Sequence, residues 1–232
     1  MTVVDLNIDL GELDEEEEDL YALATVANVA CGGHAGDEAT MQRAVTLARR
    51  HGTRVAAHPS FVDRAHFGRE SMKVEPAELY QAIVDQVSAL GAVLRAAEMD
   101  LFGVKAHGAL YHAAAATAET AAALLDAAVA EWPAPLVVVG PPYGVLAEES
   151  RRRALVYARE GFADRGYDAT GKLIPRGQPG ALIEEPMQCA EQAVRLARSD
   201  GVETICVHGD GPRALETARA VRDRLEREGL LR

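Results

Sequence analysis

The chain of 232 residues carries 24 Lys and Arg against 36 Asp and Glu, a formal net charge of −12, and is 48% hydrophobic with only 5% aromatics. The acidity argues against nucleic acid or an anionic membrane surface as partner, while the apolar share excludes disorder as the main state and leaves Ala, Val and Leu to fill a core. The uncharged stretch Trp132 to Ala147 is broken by Pro133, Pro135, Pro141 and Pro142 and cannot span a bilayer. Asp5 and Asp9 fall where a signal peptide would need a basic start and then an apolar run, so a cytoplasmic location is expected. Cys31, Cys189 and Cys206 are odd in number and in no CxxC pairing, which predicts reduced thiols.

In chain order, short β-branched runs alternate with stretches of helical period. Strands are predicted over Val3 to Ile8, Ala27 to Cys31, Arg54 to His58, Leu101 to Ala106, Leu136 to Gly140, Ala154 to Arg159 and Glu203 to Val207. Between and after them, helices are predicted over Glu15 to Thr25, Glu38 to His51, Pro76 to Glu98, Ala118 to Glu131, Tyr143 to Arg152, Pro186 to Ser199 and Pro212 to Glu228. Pro76 and Pro212 suit first helical turns, Gly52, Gly201 and Gly229 suit C-terminal caps, and Met41, Ala44, Val45 and Ala48 mark a face turned to the sheet. No repeat, linker or composition break appears, so one domain over residues 1–232 is expected. Consecutive βα units imply a parallel sheet, either closed as a barrel or open as a doubly wound layer.

Chemically able residues lie at or after nearly every predicted strand end, the face on which barrel active sites form. The first strand supplies Asn7, Asp9 and Glu12, the second Asn28, His34 and Asp37, and the third His58. The fourth supplies Lys105, His107 and Tyr111, the sixth unit Asp164, Arg165 and Arg176, and the last His208 and Asp210. His51, His66 and His112 read as ordinary hydrogen-bonded or capping histidines, Cys31 as packing, and the acidic run Asp14 to Asp19 as a solvated helix start. The glycines of CGGHAGD allow close approach to a ligand, with the helix start at Asp37 offering N–H groups to a small anion. Residues 166–172, GYDATGK, match part of a phosphate-binding loop, but Leu173 stands where Ser or Thr would hold magnesium and no strand feeds the loop. Two chemistries fit the set. The Asp and His groups suit a divalent metal for amide or ester hydrolysis; alternatively Lys105 and Arg165 stabilise negative charge while a histidine or aspartate moves protons. Without an HExxH or similar motif, spacing does not choose between them, and a metal site stays unassigned.

The ordered motifs DLNIDLGE, ANVACGGHAGD, AAHPSFVDRAHFGR, VKAHGALY, FADRGYDATGKLIPRGQPGALI and VHGDGP resemble those of the LamB/YcsF family, from about Val3 to Ala214. The resemblance implies an α/β fold, an irregular seven-stranded (β/α) barrel of the glycoside hydrolase/deacetylase type. It also implies the work of the A-type subunit of a 5-oxoprolinase: ATP-dependent opening of the lactam of 5-oxo-L-proline, or a related small cyclic amide, to L-glutamate, together with 5-oxoprolinase subunits of types B and C. ATP is the expected cofactor, bound with a divalent cation. On that reading Asp9, His34, His58, His107 and Asp210 are expected to transfer protons. Asn7, Glu12, Asn28, Asp37, Tyr111, Asp164, Arg176 and His208 are expected to bind substrate, with Lys105 and Arg165 facing its carboxylate or phosphate. The alternatives are a metal-dependent amidohydrolase or deacetylase and a non-catalytic, substrate-binding subunit. The sequence departs from the family pattern in a shortened first loop, LDEEEEDLYALAT, and at Gly33 for an aromatic, Ser60 and Val62 for glycine and proline, Ala106 for proline and His112 for asparagine.

Overall fold

The computed structural model describes residues 3–133, 135–199 and 201–232. Seven strands, β1 (Asp5–Leu10), β2 (Val26–Ala30), β3 (Arg54–His58), β4 (Leu101–Lys105), β5 (Val137–Gly140), β6 (Val156–Phe162) and β7 (Thr204–His208), pair in parallel in chain order. Asp5 to Asp9 of β1 pair with Thr204 to His208 of β7, which closes the barrel and decides against the open sheet. The helices are α1 (Asp19–Leu23), α2 (Glu38–His51), α3 (Pro76–Ala96), α4 (Gly108–Ala116), α5 (Ala118–Glu131), α6 (Leu146–Arg152), α7 (Pro186–Ala197) and α8 (Ala214–Arg227). No single helix among the described residues is long and apolar enough to cross a membrane.

Local chemistry sets several boundaries. Asp37 caps α2 with a reciprocal box to Thr40, Gly52 ends it at φ 70°, and Pro76 and Pro186 open α3 and α7. One helix was expected after β4, yet two form. Thr117 takes an extended conformation (φ −131°), its hydroxyl caps Thr120, and α4 and α5 meet at 116°. The first helix is shorter than expected because residues before Asp19 fold as a loop around the Glu16 carboxylate. β6 runs three residues past Arg159, bringing Glu160 and Phe162 into the structure of the barrel.

Strand alternation builds two layers. Leu6, Ile8 and Leu10 of β1, Ala27 and Val29 of β2 and Ile205 and Val207 of β7 belong to the apolar core shared with helices, where Ala44, Val45 and Ala48 of α2 lie. The alternate positions Asn7, Asp9, Asn28, Lys105, Glu160, Thr204 and Cys206 are all buried and are linked across the barrel by hydrogen bonds or, for Glu160, by an ion pair to Lys105. Interiors of parallel barrels are ordinarily filled by Val, Ile and Leu. Burying amides and charges there is costly unless each finds a partner, which makes this polar interior the support of a site.

Candidate functional site

Lys105 stands at the centre of the barrel interior. Its Nζ lies 2.8 Å from Asp9 Oδ1, 3.1 Å from Asn7 Oδ1, 3.0 Å from Cys206 Sγ and 2.9 Å from Glu160 Oε1. Asn28 Nδ2 donates to Asn7 Oδ1 at 2.7 Å and Asp9 Oδ1 at 2.8 Å, and Asn7 Nδ2 donates to Thr204 Oγ1 at 2.8 Å. Burial opposes both charges, but Lys105 holds the Asp9 carboxyl well below its usual range, and Asp9 with Cys206 and Glu160 hold the Lys105 ammonium well above its own. An ammonium has three N–H donors, and these are already engaged. Lys105 is therefore a strut of the barrel rather than a hand offered to a substrate anion, which corrects the expectation for it.

Glu12, His34, His58 and His107, from the C-terminal ends of the first four strands and the loops after them, gather beside this strut, all with buried side chains. Glu12 Oε1 lies 3.0 Å from His34 Nε2, 3.2 Å from His107 Nδ1 and 3.8 Å from His58 Nε2. His34 and His107 stack with ring centroids 3.6 Å apart and planes at 3°. Burial, and secondarily the neighbouring imidazoles, push His34 down to about 4, and burial likewise lowers His107, so both rings are neutral at pH 7. Glu16 holds the turn that carries Glu12 from behind: its oxygens accept from the N–H groups of Gly11 and Glu12, each at 2.8 Å, and from Tyr21 Oη at 2.8 Å. Gly68, at φ +63°, lets the loop after β3 lie on the histidines; a Cβ there would come within 2.8 Å of His34 Cβ.

A cavity of about 470 Å³, within the size range of small-molecule sites, opens over this floor. His208 borders it. Its Nδ1 lies 2.9 Å from Asp164 Oδ2, its backbone N–H donates to the same oxygen at 3.0 Å, and its Nε2 is 4.0 Å from Asp9 Oδ2. Burial disfavours the imidazolium, yet Asp164 and Asp9 outweigh it and raise the His208 pKa. A carboxylate that fixes Nδ1–H leaves Nε2 as the proton acceptor. Arg69 pairs with Asp210 and stacks on Phe67, while Arg176 at the cavity rim has no hydrogen-bonded or ion-paired partner among the described residues.

Of the residues singled out in the sequence, Asn7, Asp9, Glu12, Asn28, His34, His58, Lys105 and His107 meet in one buried group, with Tyr111, Asp164, Arg176 and His208 around the cavity. Others stand elsewhere. Asp37 caps α2, and its side chain and the Thr40 hydroxyl satisfy the N–H groups expected to receive an anion. Arg165 lines the cavity, but its guanidinium donates to the carbonyls of Ala181 (3.0 Å) and Ile174 (2.8 Å) and so chiefly pins the loop after β6. One ring nitrogen of His107 faces His58 and Glu12 and the other faces Phe67 O, and Asp210 is ion-paired with Arg69. His51 and His66 bond to Glu18 and Asp63 as ordinary surface histidines, whereas His112 lies on the cavity wall. Residues 166–172 form a tight hairpin in which Asp168 Oδ1 accepts from the N–H groups of Thr170 and Lys172, leaving no phosphate cradle. Sequence reasoning missed Glu16, Arg69, Glu160 and the site position of Cys206. Alternation along β6 and β7 could have found Glu160 and Cys206; nothing local distinguishes Glu16 from its acidic neighbours.

A closed seven-stranded parallel sheet ringed by helices places the chain in the β/α-barrel fold class. The catalytic domain of a peptidoglycan N-acetylglucosamine deacetylase from Eubacterium rectale shares this fold, with a TM-score of 0.52, 13% identity, and 98% of this chain and 86% of that chain covered. Within the class, the chain belongs to the LamB/YcsF family, whose sequence profile matches residues 4–231. It is 41% identical to the A-type subunit of 5-oxoprolinase from Symbiobacterium thermophilum over 98% of this chain and 93% of that protein. The lactam utilization protein of Thermus thermophilus superposes with a TM-score of 0.88 at 38% identity, covering 99% of this chain and 98% of that one.

Proposed function

We propose that this chain is the A-type subunit of a 5-oxoprolinase and, with subunits of types B and C, opens the lactam of 5-oxo-L-proline to L-glutamate in a reaction driven by ATP. The observation that carries the reading is the full-length similarity to the corresponding 5-oxoprolinase component of Symbiobacterium thermophilum. The cavity supports it: Arg176, without a partner among the described residues, offers a cation for a carboxylate, and His208, oriented by Asp164, offers a proton acceptor beside it. A five-membered lactam is a poor electrophile and its closure is favourable, so hydrolysis needs an input of free energy. Transfer of the γ-phosphoryl group to the lactam oxygen releases ADP and activates the ring carbon toward water. Cleavage of the C–N bond then frees the amine, and a second water releases phosphate from the resulting acyl phosphate. His208 Nε2 takes the proton of the attacking water and Asp164 holds its tautomer. Residues 166–172 do not fit a nucleotide phosphate, so no step is assigned to them.

Reconstitution tests this reading. Glutamate release from 5-oxo-L-proline is measured with this chain, its B- and C-type partners and ATP, each left out in turn. Release only in the complete mixture is expected. Release without this chain contradicts the proposal, as does a complete mixture that leaves 5-oxo-L-proline intact.

A further inference from the structure

The protonation pattern of the buried histidines is incomplete without a cation. His58 Nδ1 lies 2.8 Å from the backbone oxygen of Lys105, and His107 Nε2 lies 3.0 Å from that of Phe67. A carbonyl only accepts, so each ring carries its proton at the nitrogen facing the carbonyl. His58 Nε2 and His107 Nδ1 are left with lone pairs, and these two atoms face each other at 3.0 Å. Glu12 Oε1 brings further lone pairs to within 3.2 Å of His107 Nδ1 and 3.8 Å of His58 Nε2. His34 Nε2 approaches the same oxygen at 3.0 Å, while His34 Nδ1 is buried without a partner. One extra proton can join only one of the acceptor pairs that meet at His107 Nδ1; a metal ion takes lone pairs from Glu12 Oε1, His34 Nε2, His58 Nε2 and His107 Nδ1 together.

We propose that Glu12, His34, His58 and His107 bind one late first-row divalent cation, Zn²⁺ or an ion like it. Ligand bonds of about 2.0–2.2 Å in a tetrahedron place donor atoms roughly 3.3–3.6 Å apart, and the separations here straddle that range with the four ligand atoms all within 4.8 Å of one another. Three imidazoles and one carboxylate suit Zn²⁺ and its neighbours, whereas Mg²⁺ and Ca²⁺ favour all-oxygen sites. The carbonyls of Lys105 and Phe67 occupy the outer-sphere positions that orient metal-bound histidines. Four protein ligands leave no open position, so the ion ties together the loops after β1, β2, β3 and β4 beneath the cavity and leaves proton transfer to His208.

The inference is separable from the lactam reaction, since binding is read on the isolated chain without substrate or ATP. Chelator-treated protein is titrated with Co²⁺ and then Zn²⁺. Expected are one equivalent of Co²⁺ with the intense visible absorption of four-coordinate cobalt, its displacement by Zn²⁺, and a rise in Tm. Glu12→Gln and His58→Gln, checked for folding by circular dichroism, should each weaken binding at least about tenfold, the loss that even an outer-sphere partner causes. Imidazole ¹⁵N shifts of the unmutated chain give a second readout: Zn²⁺ should move His58 and His34 at Nε2 and His107 at Nδ1. No binding at one equivalent, unchanged affinity in both variants, or shifts confined to the exposed His51 and His66 overturns the proposal.

Discussion

Lys105 lies between Asp9 and Glu160, 2.8 and 2.9 Å from their carboxylates, with all of these side chains at most 3% exposed. Removing one member of a buried pair strands the charge of the other, which costs more than the pair itself contributes. Lys105→Met should therefore destabilise the chain by about 3–5 kcal/mol, read as a lower urea midpoint at unchanged slope; a midpoint like that of the parent would mean the ammonium is not holding the barrel interior. Gly33 and Ser60, from different loops, also meet at this scale. A Cβ on Gly33 would lie 2.4 Å from Ser60 Oγ and 2.3 Å from Gln86 Oε1, and Gln86 in turn bonds both backbone groups of Ser60. The serine and amide fill the space that any larger residue at 33 would need, a dependence between residues distant in sequence that no single motif reveals.

At the scale of elements, strand ends were legible because β-branched runs stop where polar residues begin, and parallel barrels place those ends on one mouth. Loops were less so. The run LDEEEEDLYALAT has the composition of a solvated helix start, yet Glu16 is 5% exposed and organises the turn that carries Glu12. Burial pushes its carboxyl upward, partly offset by the N–H groups of Gly11, Glu12 and Leu13 and the Tyr21 hydroxyl. In Glu16→Gln the amide nitrogen must face at least one of those backbone donors, leaving it unpaired. A loss of about 1–3 kcal/mol in unfolding free energy is expected, while Glu17→Gln, exposed in the same run, should be neutral. Equal effects of the two would show that the loop is not built around Glu16. GYDATGK shows the converse: a partial phosphate-loop pattern, discounted in the sequence for Leu173 and the missing strand, is a hairpin whose Asp168 side chain, rather than a ligand, takes the backbone N–H groups.

For the molecule as a whole, the seven βα units were countable, but barrel closure was not, because it depends on the pairing of β1 with β7, some 200 residues apart. The same closure sets His208 against Asp9 and Asp164 and fixes a pH dependence. With its pKa raised above 6.5, His208 is a proton acceptor only above that raised value. The rate should climb with pH through it, and Asp164→Asn, by removing the supporting charge, should move this acid limb to lower pH while lowering the maximum. The interaction also contributes stability: on the His208 side it is fully present below the unfolded-state value and is lost as pH rises through the folded value. On the Asp164 side, whose pKa is lowered by His208 against burial, it is present above the ordinary carboxylate value and is lost as pH falls.

The most direct test of the cavity as the place where the lactam opens is kcat for glutamate release by the reconstituted complex carrying His208→Gln, with Tm measured on the same chain. Loss of a general base predicts a fall of about 100-fold or more with KM little changed and the fold retained. An undiminished kcat in a folded variant would contradict it and place the proton transfer on another group.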